Sequence, residues 1–207
     1  MTVTEQILLL GGGGHAIDVA NAIHQAFGEG AIAGYLDDRV SDRMTAWGIP
    51  HLGDLTAADV TDRHIVLAIG FPATRQSVFS QIAGQVFESV SVVHPDVSIG
   101  RNVEIGRGAT VLAGARVSPN VHLGSHTLVH QNAVLGHDTN VRDHACVMPG
   151  ANVSGDCVIG TGALIGTGST VIQGIEVGDQ AIVGAGAVVT RDVAAGKMVV
   201  GSPARAN

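Results

Sequence analysis

Three histidines recur at intervals of seven in the stretch HQNAVLGHDTNVRDHACVMPG: His130, His137 and His144. Imidazole titrates near neutrality, so each can take up a proton at physiological pH, and three gathered at one place would make a zinc site. Which of these is open depends on the backbone period around them. A second group of residues suits a different task. Gly11, Gly12, Gly13 and Gly14 lead into His15-Ala16 directly after the strand-like run Gln6 to Leu10. Glycines at a strand-to-helix turn let backbone N–H groups approach a phosphate, and the helix N-terminus favours the anion. Asp37 and Asp38 follow a second apolar run, Ile32 to Leu36, roughly 20 residues on, where a dinucleotide fold places the carboxylate that meets a ribose or base.

The elements that must carry these groups divide the chain in two. From Val97 onward, steps of six meet Val97, Val103, Ala109, Ala115, Val121, Thr127, Ala133, Thr139 and so on to Val193, nearly all small or branched. Two residues after each comes a second register, from Ile99, Ile105 and Val111 through to Val189, aliphatic at all sixteen places. Alternate residues of a strand share a face, so both registers point inward, and glycines such as Gly100, Gly106, Gly124 and Gly136 follow where the chain turns. A six-residue unit of strand plus corner predicts a parallel β-helix, whose core exists only when units stack. The first part instead reads strand, glycine loop, a helix beginning near Ile17, strand, a further strand His64 to Gly70, and a helix from Arg75 to Ile82, a Rossmann-like order. Ser89 to His94 is expected to bridge the halves, with Pro95 starting the repeat, so the predicted domains are 1–90 and 91–207. NAD binding is the obvious alternative for the first domain; the β-helix behind it offers no dehydrogenase substrate domain.

Composition excludes several partners. With 207 residues, a net charge of −7 and only 3% aromatics, the chain has no basic field for nucleic acid or membrane surfaces and a core of small aliphatics. The run Ile7 to Leu10 is too short and wrongly flanked for a signal peptide or membrane span, which predicts a cytoplasmic protein. Cys146 and Cys157 are expected as free thiols.

The two halves together resemble the nucleotide-sugar acyltransferases that include sialic-acid O-acetyltransferases and the N-acetyltransferases of bacillosamine and perosamine biosynthesis. The resemblance spans nearly the whole chain and rests on LGGGGHA at Leu10 to Ala16, YLDD at Tyr35 to Asp38, AIG at Ala68 to Gly70 with Arg75, GHD at Gly136 to Asp138, PGANVSG at Pro149 to Gly155, GAGAVVTRDV at Gly184 to Val193 and VGSPAR at Val200 to Arg205. It implies a left-handed β-helix with three units per triangular turn, a homotrimer, and acetyl-CoA lying in the groove between neighbouring β-helices, with no metal. On such a triangle residues seven apart fall on successive faces and diverge, so the three histidines are not one site. His126 and His144, 18 apart, stack in adjacent turns and are expected as a solvated or interface pair. A trimeric β-helix carbonic anhydrase, with three histidines on zinc across subunits, is the metal-dependent alternative; the spacing here is not that of such a site.

By the same resemblance, His137 is the general base, oriented or made more basic by Asp138, a contact that needs the corner at Gly136. The Gly155 N–H polarises the thioester carbonyl. Gly166, Thr167, Gly184 and Ala185 line the CoA groove, and Arg191, Lys197 and Arg205 are cations for the CoA phosphates. Gly11, Gly13, Gly14, His15, Asp37, Asp38 and Arg75 belong to the nucleotide-sugar pocket. Two places depart from the family: His130 stands where some members carry an Asn that touches the sugar, and Cys146 where some carry a second active-site His at the CoA. The implied activity is acetyl-CoA-dependent N-acetylation of a nucleotide-linked amino sugar in surface-glycan synthesis, by direct transfer. The alternatives are O-acetylation of sialic acid or a polysaccharide precursor, and a noncatalytic sugar-nucleotide-binding scaffold, against which the intact GHD argues.

Overall fold

The computed structural model describes residues 6–206, so the first five residues and Asn207 of the two expected domains lie outside the described residues. Five parallel strands, β1 (Ile7–Leu10), β2 (Ile32–Leu36), β3 (His51–Gly53), β4 (His64–Leu67) and β5 (Glu88–Ser89), form one sheet in the order β3-β2-β1-β4-β5. All four residues of β1 are buried, as a parallel strand covered on both faces requires. The helices are α1 (Gly14–Phe27), α2 (Asp42–Ala46) and α3 (Pro72–Ile82). The strand order reverses between β1 and β4, and in open α/β sheets ligands bind at the carboxyl ends of the strands beside that reversal. Helix α1 begins three residues earlier than the expected Ile17, because Gly13 caps it with an extended backbone and no side chain. Of its buried residues, Ala16, Val19, Ala20 and Ile23 form one narrow stripe of mostly small side chains, with Ala22 beside it.

The second part is a left-handed parallel β-helix. Strands pair with those 18 residues further on, as in the run Arg116, Val134, Asn152, Thr170 and Val188 down one face, until the last coil, where Ile182 meets Met198 at an offset of 16. Both hexad registers fill the core, from Val111 and Ala115 through Ala187 and Val189. The exception is Ile99, 43% exposed at the open end of the stack. Pairing starts earlier than the sequence reading placed it: Val92–Val93 already lies in register beneath Thr110–Val111, so only Val90 and Ser91 separate β5 from the first rung.

The sheet sits on one face of the triangle. The α1 stripe of Ala16, Val19, Ala20 and Ile23 packs against Val92, Leu112, Leu128 and Cys146, outward-facing residues of successive rungs on that face. Below α3, the His126 and His144 rings stack 5.1 Å apart at 12°, with Phe79 at 4.2 Å and 5.3 Å. His126 is only 5% exposed, so of the two expectations, solvated or interface, the solvated one fails and the pair is part of this junction.

Candidate active site

Each unit turns its corner with a residue in the left-handed region. After the face bearing Val134 and Leu135, that residue is Asp138, at φ +57°. The conformation lets consecutive side chains meet: His137 Nδ1 donates to Asp138 Oδ2 at 2.7 Å, with the imidazole 56% and the carboxylate 49% exposed. The turn is therefore made at Asp138 itself, and Gly136 has a different role from the expected one. A Cβ on Gly136 would strike the Gly155 backbone of the next coil. Because Nδ1 faces a carboxylate it carries the proton, leaving Nε2 as an acceptor on the open side. The bond from His137, then one from Asn120, holds the Asp138 carboxyl below its ordinary range. The His137 ring lies across Gly155, where a Cβ would come within 2.6 Å of Cε1 and Nε2.

At two equivalent places of another corner the backbone N–H is already taken. Ser125 N donates to Asp143 Oδ1 and Thr161 N to Asp179 Oδ1, each acceptor one coil further on. For Gly155 that position is Gln173, whose amide is turned to Asp156 at 2.7 Å, so no carboxylate claims the Gly155 N–H. The corner thus pairs an exposed base with a backbone donor, an arrangement suited to attack on a carbonyl.

A different corner carries Gly150, Gly168 and Gly186, all with positive φ and open space where a Cβ would stand. Thr167 and Ala185 are exposed beside them and Gly184 is partly so. Gly166 is not part of this surface. It is buried, its N–H donates to Val183 and its carbonyl accepts from Ser169 N–H and Oγ, so the adjoining coil and its own turn use all its polar groups. Arg191, Lys197 and Arg205 are exposed on the last coils.

The glycine loop lies at the strand-order reversal. Gly11 (φ +112°) would meet Ile69 and the Ala68 carbonyl if it had a side chain, and Gly70 lies against His15. Asp37 accepts the N–H groups of Gly12 at 2.8 Å and Arg39 at 3.1 Å, fixing the loop in shape, while Asp38 is exposed. Gly12, Gly13, Asp37, Arg39, Val40 and Ser41 line a cavity of about 250 Å³. No acidic residue occupies the first turn of α1, and the Arg43 guanidinium lies beside Gly14. The sequence reading missed Arg43; nothing local distinguishes it from any surface arginine. His15 tilts against His130 at 5.0 Å, and neither of its ring nitrogens has a hydrogen-bond partner among the described residues. Burial first, then the neighbouring His130 and Arg75, push the His15 pKa down to about 3, so it is a neutral imidazole.

His15, Asp18 and His130 each offer an atom within 4.8 Å of the others. They do not fit a metal: His130 Nδ1 accepts the Gln131 N–H at 3.0 Å, which puts the ring proton on Nε2 and leaves that ring no free lone pair. Around His137, Asp138 and Asp156 the His137 Nδ1 is likewise a donor.

Besides Gly166, two expected site residues are corrected. Arg75 is fully buried; its guanidinium donates to the carbonyls of Leu67 at 2.9 Å, Ile69 at 2.7 Å and His126 at 2.9 Å, so it ties the sheet to the β-helix and cannot reach a ligand. Cys146 is 0% exposed in the same junction, and burial raises its thiol pKa to about 11. It packs against the N-terminal helix and lines no groove. His130, His137 and His144 fall in three separate surroundings, as the seven-residue spacing implied.

Comparison with known proteins agrees with this architecture. The PglD N-terminal domain family matches residues 6–82, and the hexapeptide repeat of succinyl-transferase matches residues 146–191. No curated protein sequence matches. Among solved structures, the acetyltransferase domain of PglB from Neisseria gonorrhoeae in complex with acetyl coenzyme A is 30% identical, with a TM-score of 0.86 over 98% of this chain and 99% of that one. PerB from Caulobacter crescentus in complex with CoA and GDP-perosamine is 27% identical, with a TM-score of 0.87 over 100% of this chain and 99% of that one. WeeI from Acinetobacter baumannii is 27% identical at a TM-score of 0.87, over 99% of this chain and 100% of that one. With the whole of both halves matched and the exposed His-Asp corner in place, the chain belongs to the hexapeptide-repeat nucleotide-sugar acetyltransferases that carry a PglD N-terminal domain.

Proposed function

We propose that this protein transfers the acetyl group of acetyl-CoA to the amine of a nucleotide-linked amino sugar, a step of surface-glycan synthesis, in the cytoplasm and as a homotrimer. The observation that carries the reading is the His137 ring, bonded through Nδ1 to Asp138 at 2.7 Å and lying across Gly155. The acceptor nitrogen attacks the thioester carbonyl carbon while His137 Nε2 takes its proton. The Asp138 carboxylate stabilises the imidazolium, and the Gly155 N–H meets the oxygen on which negative charge develops. Collapse breaks the C–S bond, and the departing sulfur receives the proton from His137. A thioester acyl-enzyme is disfavoured: Cys146 and Cys157 are both buried and burial raises both thiols.

The acceptor's diphosphate would lie on Gly12 to Gly14, with Arg43 as counter-charge, and its sugar near His15 and His130. The CoA chain would pass along the glycine corner, with Thr167, Gly184 and Ala185 beside it and Arg191, Lys197 and Arg205 near its phosphates. That corner and the His137 corner are different corners of one triangle, so a neighbouring copy must bring them together, which is the reason for proposing the trimer. The amine reading over the hydroxyl one is supported by PerB, whose structure holds GDP-perosamine.

The test is release of free CoA thiol with a panel of nucleotide-linked amino and hydroxy sugars. His137→Asn keeps shape but cannot accept the proton, so kcat should fall by about 10²–10⁴ with CoA binding retained. Near-full activity in that variant would sink the mechanism, and activity confined to hydroxy acceptors would replace N- by O-acetylation.

A further inference from the structure

The corner that carries His137 stacks Asn102, Asn120, Asp138 and Asp156 at intervals of 18, all left-handed, at φ 56°, 60°, 57° and 58°. Asn and Asp tolerate that conformation better than other side chains, which accounts for the residue types. It does not account for their bonds. Asn102 Nδ2 donates to Asn120 Oδ1 at 3.1 Å, and Asn120 Nδ2 donates to Asp138 Oδ1 at 3.0 Å. The other oxygen of Asp138 is the one that accepts the hydrogen bond from His137 Nδ1–H. Asp138 therefore has one oxygen held from the coil before it and one on the base.

The carboxylate needs holding because of what lies on its other side. An Asp156 oxygen stands within 4.8 Å of the coordinating atoms of both His137 and Asp138. Two anions so close repel, and Asp156 is itself drawn off by Gln173 Nε2 at 2.7 Å. Other charges are further away. Arg101 and Arg191 are two and three coils from His137 in the same column, at a strand spacing of about 4.8 Å per coil. On the adjoining face Glu104 and His122 are bonded to each other at 3.0 Å.

We infer that Asn120 is a positioning residue for the general base: its amide fixes the Asp138 carboxylate in the rotamer that holds His137 Nδ1–H, leaving Nε2 aimed at the acceptor. The inference rests on the acetyl-transfer reading for its kinetic consequence but not for its structural content. Asn120→Gly removes the amide without the left-handed strain that alanine would add. Asn120→Asp keeps the shape and sets another carboxylate against Asp138.

Asn120→Gly should lower kcat about tenfold, part of the 10²–10⁴ a general base contributes, with both KM values unchanged. The acid limb of its pH–rate profile should move to lower pH, because a loosened Asp138 supports the imidazolium less. In Asn120→Asp the added negative charge should move that limb to higher pH. A merely structural role would not give shifts of opposite sign. Independently of turnover, the Asp138 carboxyl carbon followed by NMR in the free protein should titrate at higher pH in Asn120→Gly than in wild type. Limb shifts of one sign in both variants, or an unchanged carboxyl titration, overturn the assignment. If no acceptor is ever acetylated, the functional reading fails and the carboxyl titration still decides the role of Asn120.

Discussion

At Gly155 a single methyl group decides whether the base can stand where it does. A Cβ there would come within 2.6 Å of His137 Cε1 and Nε2, and the Gly155 carbonyl is fixed by Gly174 N–H at 3.1 Å, so the ring must move and the backbone cannot. Gly155→Ala should cost about 10–10² in kcat through misplacement alone, with CoA affinity and melting temperature near wild type; unchanged turnover would show that the ring has room to spare. His144 is a contrasting case. It stacks on His126 under Phe79, so His144→Ala should leave turnover nearly intact and lower stability by about 1–3 kcal/mol by opening the junction. His15 and His126, pushed down to about 3 and about 4 chiefly by burial, stay neutral in the fold while an unfolded chain would protonate near 6.5. Their contribution is therefore complete above about pH 6.5 and is lost progressively as pH falls toward those folded values. Urea unfolding at pH 7 and pH 5 should differ by a few kcal/mol, and His15→Gln should narrow the gap. Equal stability at the two pH values would mean that neither ring is as shielded as the structure has it.

At the scale of elements, the joint between sheet and β-helix depends on one side chain of α3. Arg75 closes three carbonyls: Leu67 at the end of β4, Ile69 just beyond it, and His126 at its corner. Arg75→Met would leave those carbonyls buried without donors, at a cost of about 3–5 kcal/mol, since removing one member of a buried polar set strands the rest. Differential scanning calorimetry checks this, and Arg75→Lys should rescue only part, a point charge being unable to span three acceptors. The loop before α1 behaves differently. Gly13 has an extended-side φ of −72° and nothing within 4 Å of a Cβ, so Gly13→Val should fold normally and fill only the space into which phosphates would come. Calorimetric titration should show acceptor affinity falling by tenfold or more with CoA affinity retained; unchanged acceptor binding would move the nucleotide away from this loop.

For the whole molecule, the proposed shared groove, with the His137 corner and the glycine corner on different corners of one triangle, would make assembly a condition of activity. Light scattering at micromolar concentration should give a trimer, and turnover per chain should fall on dilution below the trimer's dissociation range. An active monomer would overturn the shared groove.

The repeat was legible in the sequence because a β-helix is nearly one-dimensional: each coil contacts its neighbours at a fixed offset, so Ala133, Leu135 and their 18-residue partners announce the core by type and period alone. The glycine loop and the succession of the first strands were legible for the same local reason, whereas the His-Asp pair was legible only through the resemblance, with the turn expected at Gly136 and made at Asp138. What the period left out was settled by contacts between units. Arg75 and Cys146 look like site residues in a motif and are buried because α3 and α1 lie on one face of the triangle. His126 looks solvated until Phe79 covers it. Asn120 shows no distinction in the sequence beyond its distance of 18 from Asp138, a distance that becomes a hydrogen bond only once the coil has closed and stacked. Sequence period fixes which residues share a column, and tertiary structure alone decides which columns are covered, because burial at a joint depends on surfaces that belong to two elements at once.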